Sequence, residues 1–112
     1  MTVRDSADAV LAAFARSDLE AVERLCAEGV VVFGTDVDEV WHDRGSLASA
    51  LEGMRELDLR ARWLGEPASG ENWVAGPAEF TLADGSTLPV RVSMVFETGG
   101  RLAHAHYSVP AA

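Results

Sequence analysis

Two histidines near the end of the chain, His104 and His106, have the spacing that places both imidazoles on one face of a β-strand. Such a pair can bind a metal ion together with a carboxylate, here from Asp36 or Glu39. Alternatively, each ring forms a hydrogen bond across the sheet or to the loop at Thr35 and Asp36. We predict no metal ion and no other cofactor, because no third ligand is fixed by the sequence spacing.

A contact between His106 and Asp36 would indicate a more specific chemical role. A carboxylate holds an imidazole in one tautomer, and together they form an acid/base pair. We therefore take Asp36 and His106 as candidate catalytic residues. The same contact could instead be part of a buried structural hydrogen-bond network that ties the acidic loop to the last strand and is completed by Thr35 and Ser108.

Other residues suit ligand binding. Arg91 could anchor a ligand carboxylate, or it could form a structural pair with Glu79 across a hairpin. Trp41 and Trp63 could wall a pocket for a flat apolar ligand, or they could simply belong to the core. The candidate ligand-binding residues are Thr35, Trp41, Trp63, Arg91, His104 and Ser108.

Three predicted strands must position most of these side chains, and they lie in the last third of the chain. They run from about 74 to 83, 88 to 97 and 101 to 109. The turns between them contain Asp84-Gly85-Ser86 and Thr98-Gly99-Gly100. Asp-Gly and Gly-Gly tolerate the positive φ that hairpin turns require, so the pattern predicts two consecutive hairpins.

The loop lengths set a predicted register for these hairpins. Because side chains alternate across a strand, this register gives one almost wholly apolar face and one mixed face with Arg91, His104 and His106. The mixed face suits either a half-wet pocket or a solvent face, and the candidate site described above requires that it line a pocket. The predicted pairs are Glu79 with Arg91, Phe80 with Val90, Arg91 with Ser108, Ser93 with His106, Met94 with Ala105, and Val95 with His104.

Hydrophobic periodicity predicts three helices before this sheet, at 3–16, about 18–27 and 44–57. Thr2 or Asp5 caps the first, Ser17 caps the second in a capping box with Glu20, and Asp43 caps the third. Gly29 is predicted to end the second helix. With further short strands at 30–33, 40–42 and 59–64, the order predicts an α+β domain with helices on one side of an antiparallel sheet.

Composition narrows the class of protein. The chain has 112 residues, enough for one domain, and 48% of them are hydrophobic. Nine arginines oppose 18 acidic residues, giving a charge of −9 that disfavours nucleic acid and anionic membranes as partners. The absence of lysine and the abundance of alanine suggest a bacterial source. Cys26 is predicted to be a buried structural thiol, and the lack of a leader or long apolar run predicts a cytoplasmic location.

Three segments resemble the SnoaL-like group of the nuclear transport factor 2-like superfamily. They are FGTDVDEVW at 33–41, LPVRV at 88–92 and HAHYSVP at 104–110. The similarity extends over nearly the whole chain, so residues 1–112 are expected to form a single SnoaL-like domain. Gly100 departs from the group, which usually has a tryptophan there.

The resemblance implies a cone-shaped curved antiparallel sheet around three helices, the cystatin-like or nuclear transport factor 2-like fold. It implies a pocket between the first and third helices and the concave sheet face. Dimers through the outer sheet face are common in the superfamily, so a homodimer is expected.

Fold alone leaves several functions open, because the superfamily contains isomerases, cyclases, dehydratases, epoxide hydrolases, transport factors and kinase association domains. We expect a pocket protein for a small apolar or aromatic ligand. The residues suggest a cofactor-free isomerase, cyclase or hydratase that uses Asp36 and His106, and they leave open whether the chain is catalytic. The alternative is a non-catalytic dimerisation or ligand-binding module.

Overall fold

Three helices form in the first half of the chain, each started by a side chain that accepts a hydrogen bond from a free amide. The computed structural model describes residues 1–109. Asp43 caps the third helix as predicted, and Thr2, one of the two predicted alternatives, caps the first; both caps are capping boxes. Asp18 caps the second helix, and the prediction of Ser17 was wrong because Ser17 ends the first helix at φ 52°. The helices are α1 Val3–Arg16, α2 Leu19–Leu25 and α3 Arg44–Met54, and a 3-10 turn follows at Arg55–Leu57.

Within residues 1–109, seven strands form one curved sheet in the order β2-β1-β7-β6-β5-β3, with β4 also paired to β5. Neighbouring strands are antiparallel except β1 and β7, which run parallel. The α+β class is confirmed, with one parallel pair where an antiparallel sheet was predicted. The strands are β1 Cys26–Phe33, β2 Val40–Trp41, β3 Arg60–Trp63, β4 Ala68–Ser69, β5 Trp73–Thr81, β6 Thr87–Phe96 and β7 Leu102–Ser108.

One sequence prediction about the strands was wrong, and another lies partly outside the described residues. Strand β1 begins at Cys26, four residues before the predicted strand, so Gly29 lies within it and does not end α2. Pro110, the last residue of the C-terminal motif, lies outside the described residues.

The second hairpin has the predicted register, and the first does not. Strands β6 and β7 pair Ser93 with His106 and Val95 with His104. Strands β5 and β6 instead pair Glu79 with Pro89, because Thr81 pairs with Thr87 and the Leu82 amide donates to the Ser86 carbonyl oxygen, which centres the turn on Asp84 rather than Gly85. A shift of two residues leaves every side chain on its predicted face, since the alternation has a period of two.

The helices pack on the apolar face of the sheet, which we call the inner face. Val74, Val90, Val92, Met94 and Ala105 are each at most 1% exposed there. The opposite, outer face carries the alternate residues of the same strands and has no helix on it. Within residues 1–109, no helix combines the length and apolar composition that a membrane crossing needs.

Cys26 lies in this core, as predicted. Its side chain is fully buried, and burial raises the pKa of the thiol to about 11. Nearly all of it is therefore protonated at neutral pH, which is the state of an inert structural cysteine rather than a nucleophile.

Candidate ligand cavity

A cavity of about 240 Å³ lies between α1, α3 and the inner face of the sheet. Its walls are predominantly apolar, and the β1–β2 loop contributes Thr35 and Glu39 as polar lining residues. This is the composition expected of a site for a small organic molecule. The lining residues are Phe14, Val32, Gly34, Thr35, Glu39, Trp41, Leu47, Leu51, Met54, Leu57, Leu59, Phe80, Leu82, Leu88 and Tyr107.

The loop between β1 and β2 folds back on itself and supplies the cavity's one carboxylate, Glu39. The Gly34 amide donates to the Glu39 carbonyl oxygen at 2.6 Å, which closes the loop. Oε1 of Glu39 accepts from the Asp36 amide at 2.8 Å and from the Thr35 hydroxyl at 3.3 Å. The side chain of Glu39 is thereby held half-buried at the cavity wall.

Gly34 is required here for close approach. A Cβ at this position would lie 2.6 Å from Cβ of Glu39 and 3.0 Å from Cη2 of Trp41. The bare Cα lets Glu39 and Trp41 sit side by side on the wall, so the position of both depends on glycine.

Aromatic rings form another wall of the cavity. The Tyr107 ring stacks between Phe14 and Phe80, with ring centroids 6.0 Å apart in each case. Its hydroxyl is fully buried and has no hydrogen-bond partner among the described residues. Burial strongly raises the pKa of the Tyr107 hydroxyl, with a smaller effect from Cys26, so the phenol stays neutral. A buried hydroxyl without a partner costs stability.

Replacing Tyr107 with phenylalanine is expected to raise the free energy of unfolding by about 1 kcal/mol, because the ring contacts remain and an unpaired polar atom is removed. Urea unfolding followed by circular dichroism measures the change, and an unchanged m-value would show that the unfolded state is unaffected. A loss of stability by a similar amount would contradict the expectation and indicate a water-mediated partner for the hydroxyl.

The structure places two of the eight candidate site residues on the cavity wall: Thr35 and Trp41. Asp36 belongs to the same loop, is exposed, and contacts the site through its backbone amide. The other five do not line the cavity: Trp63, Arg91, His104, His106 and Ser108.

The two histidines lie on the outer face, and the expectation that they line the pocket was wrong. His106 is exposed and His104 half-buried, whereas the alternating Ala105 and Tyr107 are buried beneath the helices. Both imidazoles flank Phe33, with ring centroids at 5.5 and 5.7 Å. The helices cover the more apolar face, so alternation directs the imidazoles away from the cavity.

The expected contact between His106 and Asp36 is also absent. Within residues 1–109, no hydrogen bond or salt bridge joins the two side chains, and the Asp36 amide bonds to Glu39 instead. No group of three or more potential metal ligands occurs in that part of the chain. The structure therefore does not bring the proposed acid/base pair together.

Arg91 and Trp63 lie outside the cavity wall and have other neighbours. Arg91 is exposed and pairs in register with Pro77 rather than Glu79. Oε1 of Glu79 accepts from Nε of Arg62 on β3 at 3.2 Å and forms a salt bridge with Nη2 of Arg62 at 3.2 Å, because β3 lies on the other side of β5. Nε1 of Trp63 donates to Oδ1 of Asp8 at 2.8 Å, which ties β3 to α1.

Sequence reasoning underweighted Glu39 and the leucines of the cavity. Glu39 was considered only as a metal ligand, although it is the glutamate of the FGTDVDEVW segment at 33–41 on which the resemblance rests. Leu57, Leu59, Leu82 and Leu88 fall at the ends of elements, where periodicity gives no signal about a shared wall.

Comparison with known proteins gives a consistent fold. The profile of the SnoaL-like domain family matches residues 3–112, and no curated protein matches the chain. A presumed isomerase of the SnoaL-like family from Agrobacterium tumefaciens has 18% identity and a TM-score of 0.79, with 96% of both chains covered. The epoxide hydrolase/cyclase-like enzyme SalBIII, with a role in pyran ring formation in salinomycin, has 8% identity and a TM-score of 0.78, covering 96% of this chain and 90% of that one.

A structure described as an association domain has the same fold. A presumed calcium/calmodulin-dependent protein kinase II association domain from Xanthomonas campestris has 20% identity and a TM-score of 0.69, covering 88% of this chain and 78% of that one. At these identities the likeness shows a shared fold and leaves the function to be argued from the site.

Proposed function

We propose that this chain, which belongs to the SnoaL-like domain family, binds a small, flat, mostly apolar molecule in the cavity between α1, α3 and the inner sheet face. The observation that carries the proposal is a cavity of about 240 Å³ with predominantly apolar walls. An engineered apolar cavity of about 150 Å³ is known to bind benzene, so a molecule of about two fused rings is a suitable size here.

The chemistry that fits this cavity is a cofactor-free proton transfer of the isomerase, cyclase or hydratase type. Glu39 is the one carboxylate on the wall, and its fixed position suits a general acid or base. Two proteins of the same fold are named as a presumed isomerase and a cyclase-like enzyme, which supports this class. The pair Asp36 and His106 stays a prediction without a supporting contact, and we place proton transfer at Glu39.

Narrowing the cavity tests ligand binding directly. Leu88 lines the cavity and is 37% exposed, and Leu64 is also 37% exposed but does not line it. We expect Leu88→Trp to weaken binding of 2-methoxynaphthalene by about tenfold or more, because the larger ring occupies ligand space. Leu64→Trp should leave the affinity unchanged. Isothermal titration calorimetry measures both, and equal affinities of wild type and Leu88→Trp would reject the cavity as the binding site.

A second candidate function is assembly, through pairing of two copies at the outer sheet face. Phe33, Trp73 and Val95 are 38%, 41% and 36% exposed on this face. Neighbouring exposed apolar side chains on an uncovered sheet favour a protein partner. Among the paired residues of β3, β5 and β6, this face carries Arg60, Arg62 and Arg91 against one acid, Glu79, so self-association there should strengthen as salt screens the arginines.

Analytical ultracentrifugation tests this assembly. We expect a dimer in the wild type at micromolar concentration, and a monomer in Val95→Arg because a charge is placed at the centre of the outer face. Val37→Arg is the matched control, since Val37 is 88% exposed in the β1–β2 loop. A monomeric wild type, or dimerisation that Val95→Arg does not change, would reject the outer-face dimer.

A further inference from the structure

The charge on the cavity wall restricts the kind of ligand that fits. Among the residues that line it, Glu39 is the only one that carries a charge at neutral pH, and the rest of the wall is aliphatic, aromatic or uncharged. None of the nine arginines is among the lining residues. The cavity therefore has an acceptor with negative charge and no cation to balance a ligand anion.

The two carboxylate oxygens of Glu39 have different surroundings. Oε1 accepts both hydrogen bonds from its own loop, the amide of Asp36 and the hydroxyl of Thr35. Within the described part of the chain, Oε2 has no hydrogen-bond partner. The loop thus holds the carboxylate in place through one oxygen and leaves the other as an acceptor for a ligand donor.

We infer that the cavity selects an uncharged ring compound with one O–H or N–H donor, such as a phenol, an enol or an indole-type amine, and rejects its carboxylate or phosphate analogues. A donor to Glu39 forms a charge-assisted hydrogen bond, which is stronger than a neutral one. An anionic ligand would bring two like charges together beside apolar walls, where water screens them poorly. The inference rests on the proposed ligand binding and names the ligand class for it.

Three probes of the same ring system separate these effects. 2-Naphthol carries a donor, 2-methoxynaphthalene carries the same oxygen without a donor, and 2-naphthoate carries a charge. Calorimetry on the wild type should show 2-naphthol binding about tenfold more tightly than 2-methoxynaphthalene. Binding of 2-naphthoate should be weaker than that of 2-naphthol by more than about tenfold.

Glu39→Gln tests whether the carboxylate causes this selectivity. The amide oxygen keeps an acceptor for the Asp36 amide, so the loop is conserved while the charge is removed. We expect 2-naphthoate to gain about tenfold in affinity and 2-methoxynaphthalene to be unchanged. Asp38→Asn is the control, because it removes a charge from the same loop at an exposed residue that does not line the cavity. It should keep the wild-type order.

The outcomes distinguish failure of the inferred ligand class from failure of the proposed ligand binding. If 2-methoxynaphthalene binds but 2-naphthol binds no better and 2-naphthoate binds equally well, the ligand class is overturned while the cavity remains a binding site. If Glu39→Gln and Asp38→Asn change the affinities alike, Glu39 is not the selecting group. If none of the probes binds the wild type, the proposed ligand binding itself fails.

Discussion

Replacing Gly34 with alanine is expected to lower the free energy of unfolding by about 2 kcal/mol and to weaken ligand binding by about tenfold or more. The new Cβ would lie 2.6 Å from Cβ of Glu39 and 3.0 Å from the Trp41 ring, which is closer than van der Waals contact. The loop must then shift. The hydrogen bond that closes it, from the Gly34 amide to the Glu39 carbonyl oxygen, is only 2.6 Å long and opposes that shift. Both cavity-wall residues move with it, so stability and affinity should fall together.

Gly53→Ala is the matched control for this change. Gly53 lies in α3, and apart from its chain neighbours and the adjacent backbone of its own helix, no described atom lies within 4 Å of the position its Cβ would take. Alanine there should stabilise the protein by about 0.5–1 kcal/mol, since glycine is a poor helix former, and should not alter affinity. Urea unfolding and calorimetry with 2-naphthol measure both variants. A Gly34→Ala protein with wild-type affinity would mean that the loop does not set the geometry of the site.

Local sequence rules predicted much of the scaffold that holds this loop. The bounds of α1 and the Asp43 cap follow from side-chain hydrogen bonds and helical periodicity, which act over only a few residues. The predicted pairing of Ser93 with His106 also forms, and an irregularity between Val95 and Phe96 shifts the register only next to the Gly99-Gly100 turn. Such features are determined by neighbours in sequence, so a single sequence contains the information.

The first hairpin was harder because the same turn residues allow the turn to be centred at more than one position. Gly85 has the positive φ that the Asp-Gly pair predicted, at 88°. However, the Leu82 amide donates to the Ser86 carbonyl oxygen, and Asp84 accepts from the amide and hydroxyl of Ser86, so the turn is centred on Asp84 rather than Gly85. The partner of Glu79 is consequently Arg62, a choice decided by the position of β3 across the sheet.

Most of the candidate site residues were predicted wrongly because the wrong face of the sheet was expected to line the cavity. The sequence correctly sorted Tyr107 and His106 onto opposite faces, but the polar face was expected to line the pocket. Burial energetics favour the opposite, because three short helices gain most by covering the more apolar face. The ionisable group of the cavity then comes from a loop, where Glu39 is positioned by backbone hydrogen bonds that no periodicity reveals.

The cavity wall formed by α3 leads to the second large expected effect. Leu47 is 1% exposed and lines the cavity, so Leu47→Ala should reduce the free energy of unfolding by about 3 kcal/mol. The lost side-chain volume adds to the existing cavity instead of making a separate void. We therefore expect the variant to bind the three-ring probe anthracene-2-ol more tightly than wild type does, by about tenfold.

Leu102→Ala separates this gain from simple destabilisation. Leu102 is fully buried but does not line the cavity, so its truncation should cost a similar amount of stability. It should leave the preference between two-ring and three-ring probes as in the wild type. Ligand binding stabilises the folded state by an amount that rises with the ratio of ligand concentration to Kd, so the same concentration of the three-ring probe should recover more of the lost stability in Leu47→Ala than in Leu102→Ala. Equal recovery in the two variants would show that the ligand does not reach the α3 wall, because only a bound molecule in contact with that wall can distinguish them.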